Sequence, residues 1–148
     1  MRLMLIALAA VGCAIPAAAQ VPTDAALRQQ AERSLRSCDG LTGDDAQWCQ
    51  MSRQAFVSAF QQAYRGNYQA QRNVGYMLRG STSGIAADHV EACAWRLIII
   101  AQGDPQADAS DTANLRFDCG RLDARGRATA EARAQALLGQ IRLGAARR

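Results

Sequence analysis

The chain of 148 residues is 49% hydrophobic, 20% charged and 5% aromatic, with a formal net charge of +4. That balance suits one globular domain and excludes a disordered tail or a collagen-like repeat. All seventeen Lys-or-Arg positions are Arg and the single histidine is His89, which excludes a P-loop or Schiff-base lysine, a Ser-x-x-Lys acylation site and a His-ligated metal cluster.

Residues 1–19 have the anatomy of a secretory signal peptide. Arg2 is followed by an uncharged apolar run from Leu3 to Ile15, then Pro16, then Ala17-Ala18-Ala19 ahead of Gln20. The run is too short for a membrane-spanning helix, which needs about 20 residues. The expectation is an exported protein, periplasmic or secreted, with residues 20–148 forming one domain. A minor alternative makes Cys13 a lipidated cysteine after Ala10-Val11-Gly12, but the apolar region ahead of it is short and Ala10 is a poor substitute for the usual Leu. Cleavage after Ala19 leaves sixteen Arg against thirteen acids, or +3. Those charges are scattered, and Arg142, Arg147 and Arg148 form only a small basic tail, so no nucleic-acid partner is expected.

Helical periodicity then runs almost unbroken. A first helix spans about Asp24 to Cys38, with Leu27, Ala31 and Leu35 on one face. The loop from Asp39 to Asp44 caps a second, from Asp45 to about Tyr64; its acids lack the order and closing Glu of a calcium loop. Gly66-Asn67 ends that helix. A third follows from Tyr68 to Leu78, and a fourth, from about Ala86 to Ala101, carries Val90, Cys93, Ala94, Leu97 and Ile98 on a stripe widened by Ile99 and Ile100. So broad an apolar surface predicts a central helix. After Gly103-Asp104-Pro105, a fifth helix runs from about Ala107 to Leu122 and a sixth from about Gly126 to Leu143. Short connections make antiparallel neighbours the default.

Four cysteines follow the cleavage site, and an even number in an exported chain predicts two disulfides. Cys38 and Cys49 flank one turn. Cys93 and Cys119 lie at nearly equal distances from the turn at 103–105, so at 1.5 Å rise per residue they face each other across a hairpin. The predicted pairs are Cys38–Cys49 and Cys93–Cys119.

The stretch from Ala70 to Gly103 contains Ala70-Gln71, Asn73-Val74-Gly75, Gly80, Ala92-x-x-Trp95 and Ala101-Gln102-Gly103. It resembles the Sel-one-like repeat, a tetratricopeptide-like helical hairpin, with the best unit at about 68–103. Trp95 and Gly103 keep the family's spacing, whereas Ile98-Ile99-Ile100 stand near where it has a basic residue and two alanines. The last two helices lack the Trp and glycine pattern, as a terminal unit can. The resemblance implies a short all-α solenoid of antiparallel hairpins that serves as a protein-interaction scaffold. It implies no catalytic residues; separately, no cofactor and no metal are expected.

Individual residues give little chemistry. His89 lies beside Asp88 and Glu91, but adjacent helical positions do not share a face, which favours a surface or capping role. Asp104, Asp108 and Asp111 fall at i, i+4 and i+7, a spacing open to a metal or a basic partner. Near a helix N-terminus such acids are also stabilising by themselves, and Asp118 and Asp123 follow further along. Trp95 is expected in packing; Trp48 is the other tryptophan. Tyr68, Arg72 and Tyr76 are the candidate partner-binding residues, because Tyr and Arg dominate interface energetics. The expected role is a binding or scaffolding module with a protein or peptide partner, and self-association of a short solenoid is a further expectation. The rival is a small periplasmic hydrolase acting on cell-wall material.

Overall fold

The computed structural model describes residues 21–146, so the expected signal peptide, Cys13 and the last two arginines lie outside the described residues. Six helices follow one another: α1 (Asp24–Glu32), α2 (Gly43–Tyr64), α3 (Tyr68–Met77), α4 (His89–Gln102), α5 (Ala109–Gly120) and α6 (Ala124–Ala146). Among the described residues there is no strand, only an isolated bridge between Leu35 and Ile85. Both predicted disulfides are present, with Cα–Cα distances of 6.0 Å for Cys38–Cys49 and 4.8 Å for Cys93–Cys119.

Local chemistry sets most helix starts. Thr23, Asn67 and Asp88 accept hydrogen bonds from Ala26, Ala70 and Glu91 N–H groups respectively, satisfying donors that a helix N-terminus leaves free. Asp108 and Asp111 form a reciprocal capping box on α5. Asp123 takes the Gly126 N–H at the start of α6, 2.7 Å away.

Two boundaries differ from the sequence expectation for a tertiary reason. The first helix stops at Glu32 rather than reaching Cys38, and the fourth starts at His89 rather than Ala86. The segments between them pair with each other: Arg36 N–H donates to Gly84 O at 2.9 Å and Ala86 N–H to Ser34 O at 2.7 Å. Those long-range bonds satisfy backbone groups that a longer helix would otherwise have used. Gly84 holds this crossing close to α2. Its φ is +76°, and a side chain there would start 2.8 Å from Arg53 Cγ and 2.9 Å from Cys49 Sγ, so only glycine fits.

Successive helices from α1 to α5 pack side by side, and α6 returns across α4 to reach α2. The centre is Trp95, fully buried, with Phe60 and Tyr64 meeting its ring edge-on at 6.1 and 5.6 Å. Around it, α4 buries Ala92, Cys93, Ala94, Ile98 and Ile99, while Ile100 faces outward. From α6, Ala130, Ala134, Leu137 and Ile141 close the core. Small alanines at the first two positions let α6 approach α4 closely.

Candidate interaction surface

The three residues singled out on α3 have different fates. Tyr68 is buried, and its hydroxyl donates to Asp111 and lies 3.1 Å from Gln106 O. Burial raises its pKa, and the Asp111 carboxylate raises it further. Arg72 lies over the Tyr68 ring at 5.5 Å, donates to Ser110 Oγ at 2.8 Å and pairs with Asp111 at 3.1 Å. Tyr68 and Arg72 therefore join α3 to the first turn of α5. Tyr76, two turns on, is 55% exposed and lines a groove.

The spaced acids resolve in the same way. Asp104 accepts the Gln106 N–H. Asp108 is held below the ordinary 3.8 by its hydrogen bonds from the Ser110 hydroxyl and backbone. Asp111 is buried between Tyr68 and Arg72. Among the described residues no group of three or more His, Cys, Asp or Glu is placed to hold a metal. His89 is exposed in the first turn of α4.

Asp118 is the second buried acid, and it organises the surface above it. Arg79 grips both of its carboxylate oxygens at 2.6 and 2.9 Å and reaches Asn114 at 2.7 Å. Arg96, only 2% exposed, donates to the same carboxylate at 2.8 Å. Burial lowers the Arg96 pKa, opposed by Asp118. The Arg96 guanidinium needs the bare backbone of Gly75, where a Cβ would sit 3.1 Å from it. Fixed by Asp118, the Arg79 guanidinium lies over two exposed rings, Tyr76 at 5.7 Å and Phe117 at 5.0 Å. Arg121 covers Phe117 at 4.8 Å. Tyr76, Arg79, Phe117 and Arg121 thus form a ladder of alternating rings and guanidinium groups.

Tyr76 also joins this ladder to α2. A groove of about 370 Å³ is lined by Trp48, Met51, Ser52 and Ala55 of α2, Tyr76 and Met77, and the turn 81–83. Trp48 is 64% exposed and Met51 49%. A shallower recess continues from Trp48 and Met51 to Asp44, Asp45 and Gln47. The result is one strip crossing α2, α3 and α5, acidic at one end, apolar in the middle and cationic at the other. The Cys38–Cys49 disulfide anchors the α2 end of it.

Most of the strip escaped the sequence analysis. Trp48-x-x-Met51 does carry a signal, since two large apolar residues recur one turn apart on the face away from Phe56 and Phe60. So does Phe117, four residues before Arg121. A third polar cluster lies elsewhere: Arg133 of α6 binds Glu91 at 2.8 and 3.0 Å and donates to the Tyr64 hydroxyl at 3.0 Å. Burial lowers the Arg133 pKa, and Glu91 and Tyr64 together more than offset it, for a net rise. It ties α6 to α2 and α4. No family model, curated protein or solved structure matches the chain.

Proposed function

We propose that the chain is an exported helical-hairpin protein, a short solenoid of the Sel-one-like kind, that works as a protein-interaction or scaffolding module in the periplasm or cell envelope. The observation that carries this is the strip from Asp44 to Arg121. It exposes Trp48, Met51, Tyr76 and Phe117 together, and large apolar groups gathered on one surface mark interaction sites. Its Arg79 is immobilised by a buried carboxylate, so little side-chain freedom is lost when a partner binds. Two disulfides accord with an oxidising compartment, and among the described residues no helix is long and apolar enough to cross a membrane.

The test is crosslinking in the native host with a C-terminal tag, comparing the wild type with Trp48→Ala/Tyr76→Ala. One dominant crosslinked species that disappears in the variant supports the proposal. An unchanged crosslinking pattern rejects this surface as the working one.

A further inference from the structure

We propose that the strip docks a second copy of this chain, in a two-fold symmetric dimer. The inference rests on the strip being an interaction face and names its occupant. In a two-fold interface the same patch serves on both partners, so residue i of one meets residue j of the other and the reverse. A patch suits that arrangement when its two ends are complementary and its middle is apolar. This strip has that order. Asp44 and Asp45 stand exposed at its α2 end. Trp48, Met51 and Tyr76 occupy the middle.

The far end is cationic in the charged groups of the ladder and the carboxylate that holds it. Asp118 is shared by two arginines, Arg79 and Arg96, which leaves one net positive charge there. Arg121 adds a second, exposed and held against Phe117. Among the described residues Asp44, Asp45 and Arg121 make no ion pair. Rotation by 180° about an axis through the Met51–Tyr76 region lays the acidic end of each copy on the cationic end of the other. It also brings the Trp48 of each copy toward the Tyr76–Phe117 rings of its partner. An unrelated partner would have to supply this order of groups, whereas a second copy already carries it in the complementary sense.

The experiment measures molar mass against concentration by sedimentation for the purified, disulfide-bonded protein. The wild type is expected to pass from monomer to dimer as concentration rises, and Trp48→Ala/Tyr76→Ala to remain monomeric. Asp44→Arg/Asp45→Arg and, separately, Arg121→Glu should each weaken dimerisation about tenfold or more, since juxtaposed like charges oppose association. Mixing those two charge-reversed proteins should restore a dimer containing one of each, because one end contact is then the native one and the other sets the introduced acid against the introduced arginines. Far-UV circular dichroism checks folding. If a reversed protein melts early, Asp44→Asn/Asp45→Asn and Arg121→Gln replace the reversals and should remove the salt dependence of dimerisation.

A wild type that stays monomeric throughout overturns the dimer, as does a dimer indifferent to the reversals or a mixture that fails to recover. A monomeric wild type whose cellular crosslink still needs Trp48 and Tyr76 would leave the interaction surface intact and refute only its occupant. Loss of both results would remove the surface as well.

Discussion

Asp118 shows how one buried side chain governs exposed ones. It is 2% exposed and carries two guanidinium groups. Replacing it with Ala strands Arg96 as an uncompensated buried charge, and removing one partner of such a pair costs about 3–5 kcal/mol. Thermal or denaturant unfolding of Asp118→Ala should register a loss of that size. Gly75 serves the same cluster, and Gly75→Ala should cost about 1–3 kcal/mol by overpacking against Arg96, despite the better intrinsic helix propensity of Ala. Asp108 makes a prediction of opposite character, in pH. Its carboxyl titrates lower in the folded chain than the ordinary 3.8, so its charged form favours folding above about pH 4. That contribution fades as pH falls through the lowered value. Melting temperature should therefore drop on acidification, and by less in Asp108→Asn, which keeps an acceptor at the cap and loses the titration.

Among the elements, the α4–α5 hairpin is held twice, by Cys93–Cys119 and by Arg96–Asp118. The disulfide closes a loop with a sequence separation of 26, worth about 2–4 kcal/mol through restriction of the unfolded chain. Cys93→Ser/Cys119→Ser should lower stability by that amount, read as a fall in the denaturation midpoint. An unchanged midpoint would mean that the hairpin is held by packing and the ion pair alone. The Cys38–Cys49 bridge does a different job: it fixes the irregular stretch after α1 against the start of α2, where the strip begins.

At the scale of the molecule, α6 decides closure. It packs on α4, and less extensively on α2, rather than on its neighbour in sequence, so it covers the face of α4 that the earlier hairpins leave bare. Leu137 is fully buried there, and Leu137→Ala should cost about 2–5 kcal/mol, measured by reversible unfolding. Arg133, bound to Glu91 and Tyr64, fixes where α6 sits. The exposed strip lies across α2, α3 and α5, so a loosened α6 should reduce stability before it alters that surface.

The sequence by itself determined the number and order of the helices and ranked the cysteine pairs. Periodicity, capping residues and turn glycines are local, and local signals survive without knowledge of the fold. Both cysteine pairs bridge neighbouring elements across a single turn or hairpin, so one flanked turn and, for Cys93–Cys119, helix rise ranked them. The tertiary structure decided what no window of sequence contains. It ended α1 at Glu32 by pairing residues 34–36 with 84–86 across about fifty positions. It buried Tyr68 against Asp111 and tied the half-buried Arg72 to the same carboxylate while leaving Tyr76 in the open, although all three share one short helix. It also assembled Trp48, Met51, Tyr76, Arg79, Phe117 and Arg121, from three helices and the chain just past two of them, into one strip. The reason is common to all three cases: an amphipathic pattern states which residues seek burial, but which polar groups find partners depends on the elements that arrive from elsewhere.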